Sequence, residues 1–274
     1  MKKVFHLLYL LVIINVAMPS EHGFSFASGP LLFKPLTANT FEPRLGLIWH
    51  MDGNRLRLDI GNSVDMVQYR FETGQQLLTF GSDFFTYTLL QGEKNFHFPV
   101  DAVDYLFGVN INYADTLDHA VLSSRLRLSH ISAHFVDGHF EGSFGRWKNG
   151  HNPRVYSREF FDLTVGYEPV RTFRGYLGIV YLWHVDPTTI NPLFGYAGGE
   201  YHHTLNTLFS GFAAYQCTLS DLLPKHEIYA GIKLGEWNGR GTKFFYTFFS
   251  GNNIHGEYFD RTDVYSGVGF TIDF

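Results

Sequence analysis

Apolar and polar residues alternate with a period of two along most of this chain, the repeat of an extended strand with unlike faces. Residues 264–274 read V-Y-S-G-V-G-F-T-I-D-F. Val264, Ser266, Val268, Phe270, Ile272 and Phe274 share one face; Tyr265, Gly267, Gly269, Thr271 and Asp273 share the other. The first face suits lipid and the second is small or polar. The pattern recurs upstream. Leu56, Leu58 and Ile60 oppose Arg55, Arg57 and Asp59; Tyr105, Phe107, Val109 and Ile111 oppose Gly108, Asn110 and Asn112. Leu177, Ile179, Tyr181 and Trp183 form a third such face, and Ile228, Ala230, Ile232 and Leu234 a fourth. With Gly, Asn, Asp and Pro as punctuation, strands are predicted at 44–51, 55–71, 75–90, 102–113, 117–136, 154–167, 175–184, 193–203, 208–219, 225–235, 243–250 and 264–274.

Twelve is an even number, as a closed single-chain bacterial barrel requires, and loop lengths agree with one orientation. With both ends in the periplasm, turns after even-numbered strands are expected to be short: 72–74, 168–171 and 205–207. Loops after odd-numbered strands are expected to be longer: 91–101, 137–153, 186–192 and 251–260. The first loop, 52–54, is short against that rule. Composition fits, since 28 Phe and 16 Tyr supply aromatic belts and 28 Gly smooth the wall.

Lys2 and Lys3 followed by the apolar run 4–17 have the form of a secretory signal. That run falls short of the roughly 20 residues a spanning helix needs. The best small-x-small site, Ser25-Phe26-Ala27, puts cleavage after residue 27, with Gly29 as the alternative. The organisation read from the sequence is therefore a signal peptide at 1–27, a periplasmic N-terminal segment at 28–43 partly tucked into the barrel, and a barrel at 44–274. Only helices and closed barrels satisfy every backbone group in lipid, and no other run approaches spanning length as a helix. The expected fold is an all-β transmembrane antiparallel up-and-down β-barrel of about 12 strands. It is expected in the cell outer membrane of a Gram-negative-type envelope, exported through the general secretory route. A net charge of −5 gives no reason to expect nucleic acid as a partner, and a single cysteine, Cys217, excludes an intrachain disulfide.

Candidate chemistry centres on residues 125–137. Leu126, Leu128, His130, Ser132 and His134 share a face opposite Arg125, Arg127 and Ser129. Arginines belong in a wet lumen, so the histidines and Ser132 are expected on the outer side, at the extracellular rim. On the next strand Arg158, Phe160, Asp162 and Thr164 face inward, while Ser157 and Glu159 face the same way as the histidines. A serine becomes a useful nucleophile when a base takes its proton and a third group orients that base. Ser132 is the candidate nucleophile, His130 the base, Glu159 or Ser157 the orienting group, and His134 a second base. At this rim the substrate within reach is the ester of an outer-leaflet lipid. The competing reading is a non-catalytic barrel acting as a narrow channel or structural wall protein. Arg125, Arg127, Arg158, Asp162, Glu227 and Lys233 would line its lumen, as a pore or, preferably, as a plug of ion pairs. No metal centre and no cofactor are expected. His202 and His203 fall on opposite faces, and His255, Glu257 and Asp260 read better as a solvated loop than as a divalent-cation site.

The closing strand, ending on an aromatic with apolar residues at alternate positions, resembles the C-terminal signal of bacterial outer-membrane barrels. That resemblance implies the barrel-assembly machinery as a partner. The His130-x-Ser132 pair resembles outer-membrane phospholipase A, a twelve-stranded barrel with an orienting Asn on its next strand. Here Ala133 and His134 stand where Asn-Gly follows the serine in that family, and the orienting Asn has no clear counterpart. Phe-Glu-Pro-Arg at 41–44, H-x-S-x-H-x-x-D at 130–137 and R-V-Y-S-R-E at 154–159 together resemble an uncharacterised family of bacterial outer-membrane β-barrel proteins, classified as a domain of unknown function. That likeness spans nearly the whole mature chain. It implies a barrel and brings no settled activity.

Overall fold

A computed structural model describes residues 22–51, 53–220 and 224–274. Most of the expected secretory signal, residues 1–21, lies outside the described residues. Twelve strands make the wall: β1 (Leu45–His50), β2 (Arg55–Arg70), β3 (Gln76–Gln91), β4 (Val100–Thr116), β5 (Val121–Phe135) and β6 (Ser157–Val170). They continue with β7 (Phe173–Asp186), β8 (Leu193–Thr204), β9 (Phe209–Leu219), β10 (Lys225–Gly235), β11 (Gly241–Asn252) and β12 (Thr262–Asp273). Each pairs antiparallel with the next, and β12 returns to β1 from Gly267↔His50 to Ile272↔Leu45. The sheet is closed, so β12 has a partner on both sides. Among the described residues no helix is long and apolar enough to cross a membrane.

Side chains alternate across this wall as the pattern predicts. Tyr105, Phe107, Val109 and Ile111 of β4 are exposed on the outer surface, while Leu106, Asn110 and Asn112 are buried inside. Inner connections are short (117–120, 171–172, 205–208), and the outer ones include the long 136–156 loop with its own small hairpin, Phe140–Glu141 against Arg146–Trp147. The expected turn at 168–171 is tighter still. β6 runs on to Val170, which pairs with Phe173.

Two segments narrow the barrel, one inside the lumen and one over its outer mouth. The chain enters beside β2, where Gly23–Phe26, within the expected signal 1–27, pairs with Val67–Arg70. It then runs inside the barrel, with Leu36, Ala38, Thr40 and Glu42 buried. Arg125 makes a bidentate pair with Glu42, Arg127 reaches the same carboxylate at 3.2 Å, and Arg57 Nη2 donates to the Thr40 carbonyl at 2.8 Å. Backbone N–H groups of Thr37 and Thr40 donate to the wall carboxylates Glu200 and Glu227, both at 3.0 Å. A charge taken out of water needs such partners to be tolerated, and here the segment and wall supply them to each other.

The outer mouth is capped by loop 253–261. The sequence reading of this loop as solvated is corrected: His255 and Glu257 are buried. His255 Nδ1 and the Gly256 N–H both donate to Asp104, at 2.8 and 2.7 Å. Glu257 accepts the N–H groups of Phe135 and Arg154. Gly256 sits so close to Tyr156 that an added Cβ would lie 2.2 Å from its ring, which fixes glycine there. The loop looks polar in sequence because its polar groups are spent on the barrel mouth and not on water.

Candidate functional site

β5 and β6 are neighbours, and their register sets His130 directly opposite Glu159 and Ser132 opposite Ser157. His130, Ser132 and His134 point outward while Ser129, Ile131, Ala133 and Phe135 are buried inside. The period-two argument thus held to the end of the strand. His130 Nδ1 donates to Glu159 Oε1 at 2.6 Å, and Ser157 Oγ donates to the same oxygen at 3.1 Å. An imidazole whose Nδ1–H is given to a carboxylate keeps its lone pair on Nε2. That pair can accept a proton from a nucleophile, and the carboxylate offsets the positive charge that results.

Ser132 lies two residues along the same outer face, roughly 7 Å away along the strand. No hydrogen bond joins Ser132 to His130 among the described residues. His134 stands one step further out, its ring 6.0 Å from that of Tyr105, and makes no hydrogen bond to the other site residues. Phe107 packs against His130 with ring centroids 4.9 Å apart, and Phe161 packs on Trp183 at 4.6 Å. The polar cluster therefore rests on an aromatic shelf on the outer face of the wall.

One member was missed in the sequence. His184 Nδ1 donates to Glu159 Oε2 at 2.5 Å, so a single carboxylate holds two imidazoles. Strict alternation along β7 sends His184 inward, opposite in sense to Trp183. A register shift between Leu182 and His184 inserts one residue and turns His184 out beside Glu159. The single visible hint is a histidine at the end of a strand otherwise apolar on its outer face.

The lumen candidates lie where alternation puts them, and all but Arg158 take part in ion pairs. Arg127 Nε donates to Asp83 at 2.8 Å and lies 3.8 Å from Asp162. Lys225 approaches Glu227 at 3.4 Å, and Lys233 meets Asp273 at 2.6 Å. Arg158 stacks over the Tyr156 ring. No group of three or more His, Cys, Asp or Glu able to hold a metal is found among the described residues. His202 stacks on Trp237 with ring centroids 4.3 Å apart.

No family model matches the chain. No curated protein matches it either. Its fold is similar to solved outer-membrane barrels. Against outer-membrane phospholipase A from Escherichia coli the TM-score is 0.53 at 12% identity, covering 84% of this chain and 91% of that one. Against an active-site mutant of the same enzyme, solved at pH 6.1, it is 0.54 at 12% identity, covering 90% and 94%. The β domain of the Bordetella autotransporter BrkA gives 0.41 at 10% identity, covering 84% and 96%. At these identities the likeness is one of fold: this chain is built as an outer-membrane β-barrel.

Proposed function

We propose that this barrel resides in the outer membrane and hydrolyses ester bonds of outer-leaflet lipids at its rim. The observation that carries the reading is the Glu159–His130 hydrogen bond on the lipid-facing side, with Ser132 on the same strand face. In this reading His130 Nε2 takes the proton of Ser132 Oγ as that oxygen attacks the ester carbonyl. The imidazolium, held by Glu159, gives its proton to the departing alcohol oxygen, and the acyl group stays on Ser132. Water, deprotonated by the same nitrogen, then releases the fatty acid and restores the serine. His134, on the same strand face, is the second candidate base.

The fold likeness to a phospholipase supports the reading, and so does the position of Glu159. It stands on the neighbouring strand opposite the base, where the sequence offered no orienting Asn. The lumen packed with ion pairs gives less support to a channel. The test is fatty-acid release from phospholipid in mixed micelles by the purified barrel and by Ser132→Ala. Release lost in the variant supports the proposal. Equal release from both, or none from the intact protein, counts against it.

A further inference from the structure

Beneath the outer cap, inside the wall, lies a cavity of about 40 Å³ lined by Arg127, Arg158, Lys225, Gln216 and Asp162 among others. Its three cations are not equally served. Arg127 is neutralised by Asp83, Glu42 and Asp162, and Lys225 by Glu227. Arg158 has no carboxylate within 4.0 Å and no hydrogen bond among the described residues; its guanidinium lies 4.8 Å over the Tyr156 ring, and its Nε is buried without a partner. The other strand arginines that face the lumen, Arg57, Arg125, Arg127 and Arg174, each hold a carboxylate. Gln216 is 1% exposed, and its carbonyl oxygen also lacks a partner.

We propose that this cavity is a binding site for one small monovalent anion of halide size, held by Arg158 and Lys225. The Arg158 guanidinium is half-buried with no carboxylate beside it, its Nε is out of water with no acceptor, and one anion supplies both the acceptor and the charge that the wall omits. The size of the space sets the class. A water needs at least about 10–15 Å³ of such room, so the cavity takes a halide with a water beside it, and not a phosphate with its shell. The accompanying water gives the Gln216 carbonyl its donor. Asp162 at the cavity edge disfavours a multiply charged guest by repulsion. The site is inside the barrel and independent of the rim chemistry.

The direct test is anomalous diffraction from crystals of the full barrel grown in bromide. A bromide peak beside Arg158, present in the wild type, weakened in Arg158→Lys and gone in Arg158→Gln, supports the site. No peak there, or one unchanged in Arg158→Gln, overturns it. In solution at fixed ionic strength, saturating bromide should raise the melting temperature over gluconate, an anion too large for the cavity, by about 2–4 °C. Arg158→Gln should lose that shift. Equal melting in the two salts for the wild type overturns the proposal even if the Gln variant fails to fold.

Discussion

Glu159 Oε1 accepts the Nδ1–H of His130 at 2.6 Å, across the ladder that joins β5 to β6. Its second oxygen accepts from His184. A glutamine at 159 keeps one accepting oxygen and brings a donor amide, so it cannot serve both rings or offset an imidazolium. Glu159→Gln is therefore expected to lower lipid turnover by ~10²-fold, the scale on which general base catalysis contributes. His184→Ala leaves the Glu159–His130 bond intact and is expected to lose much less. Steady-state rates for the two variants, measured side by side, check the ordering.

The N-terminal segment is latched by Glu42, which takes both Arg125 and Arg127. Glu42→Ala leaves two buried guanidinium groups short of an anion. Breaking such a pair costs about 3–5 kcal/mol, so thermal unfolding in detergent should move down by many degrees. A shift within error of zero would mean the segment is not seated in the lumen.

The cap has its own ionic tie, Arg154 bidentate on Asp260 at 2.7 and 3.0 Å. Those hydrogen bonds hold the Asp260 carboxyl below its ordinary value near 3.8. A carboxylate with a depressed value stabilises fully above its unfolded pKa and loses that contribution as pH falls through the folded one. Hydrogen exchange of residues 253–261 should therefore be faster in Asp260→Asn than in wild type at pH 7. The difference should vanish once the pH is taken below about 3.8 and through the depressed value. A difference that persists there would mean the tie does not act through this charge.

Ile111 lies on the outer face of β4, four residues further from the outer mouth than Phe107, the partner of His130. An arginine at the bilayer midplane of a barrel costs about 2–4 kcal/mol. Ile111→Arg should reduce folding stability in lipid vesicles by that amount. A loss near zero would place this face in water.

The wall was legible because alternation is local: each residue reports its own face, and a closed sheet changes none of those reports. Arg125, Arg127 and His130 went to the predicted sides for that reason. The parts that were not legible depend on contacts between distant segments. His184 joined the site through a one-residue bulge that period-two reading does not register. His255 and Glu257 went into the barrel mouth because Asp104 and the backbone of β5 receive them, and no spacing within loop 253–261 announces a partner 150 residues away. Which oxygen Arg127 would find was equally hidden, since Glu42 arrives from a segment without strand pattern.

The central claim is that Ser132 is a nucleophile activated by His130. A sulfonyl fluoride reacts with such a serine and leaves ordinary surface serines alone, so mass spectrometry of the treated barrel addresses the claim directly. The account predicts one adduct, mapped to Ser132 and lost in both Ser132→Ala and His130→Ala. An unlabelled wild type, or labelling that persists in Ser132→Ala, would contradict it.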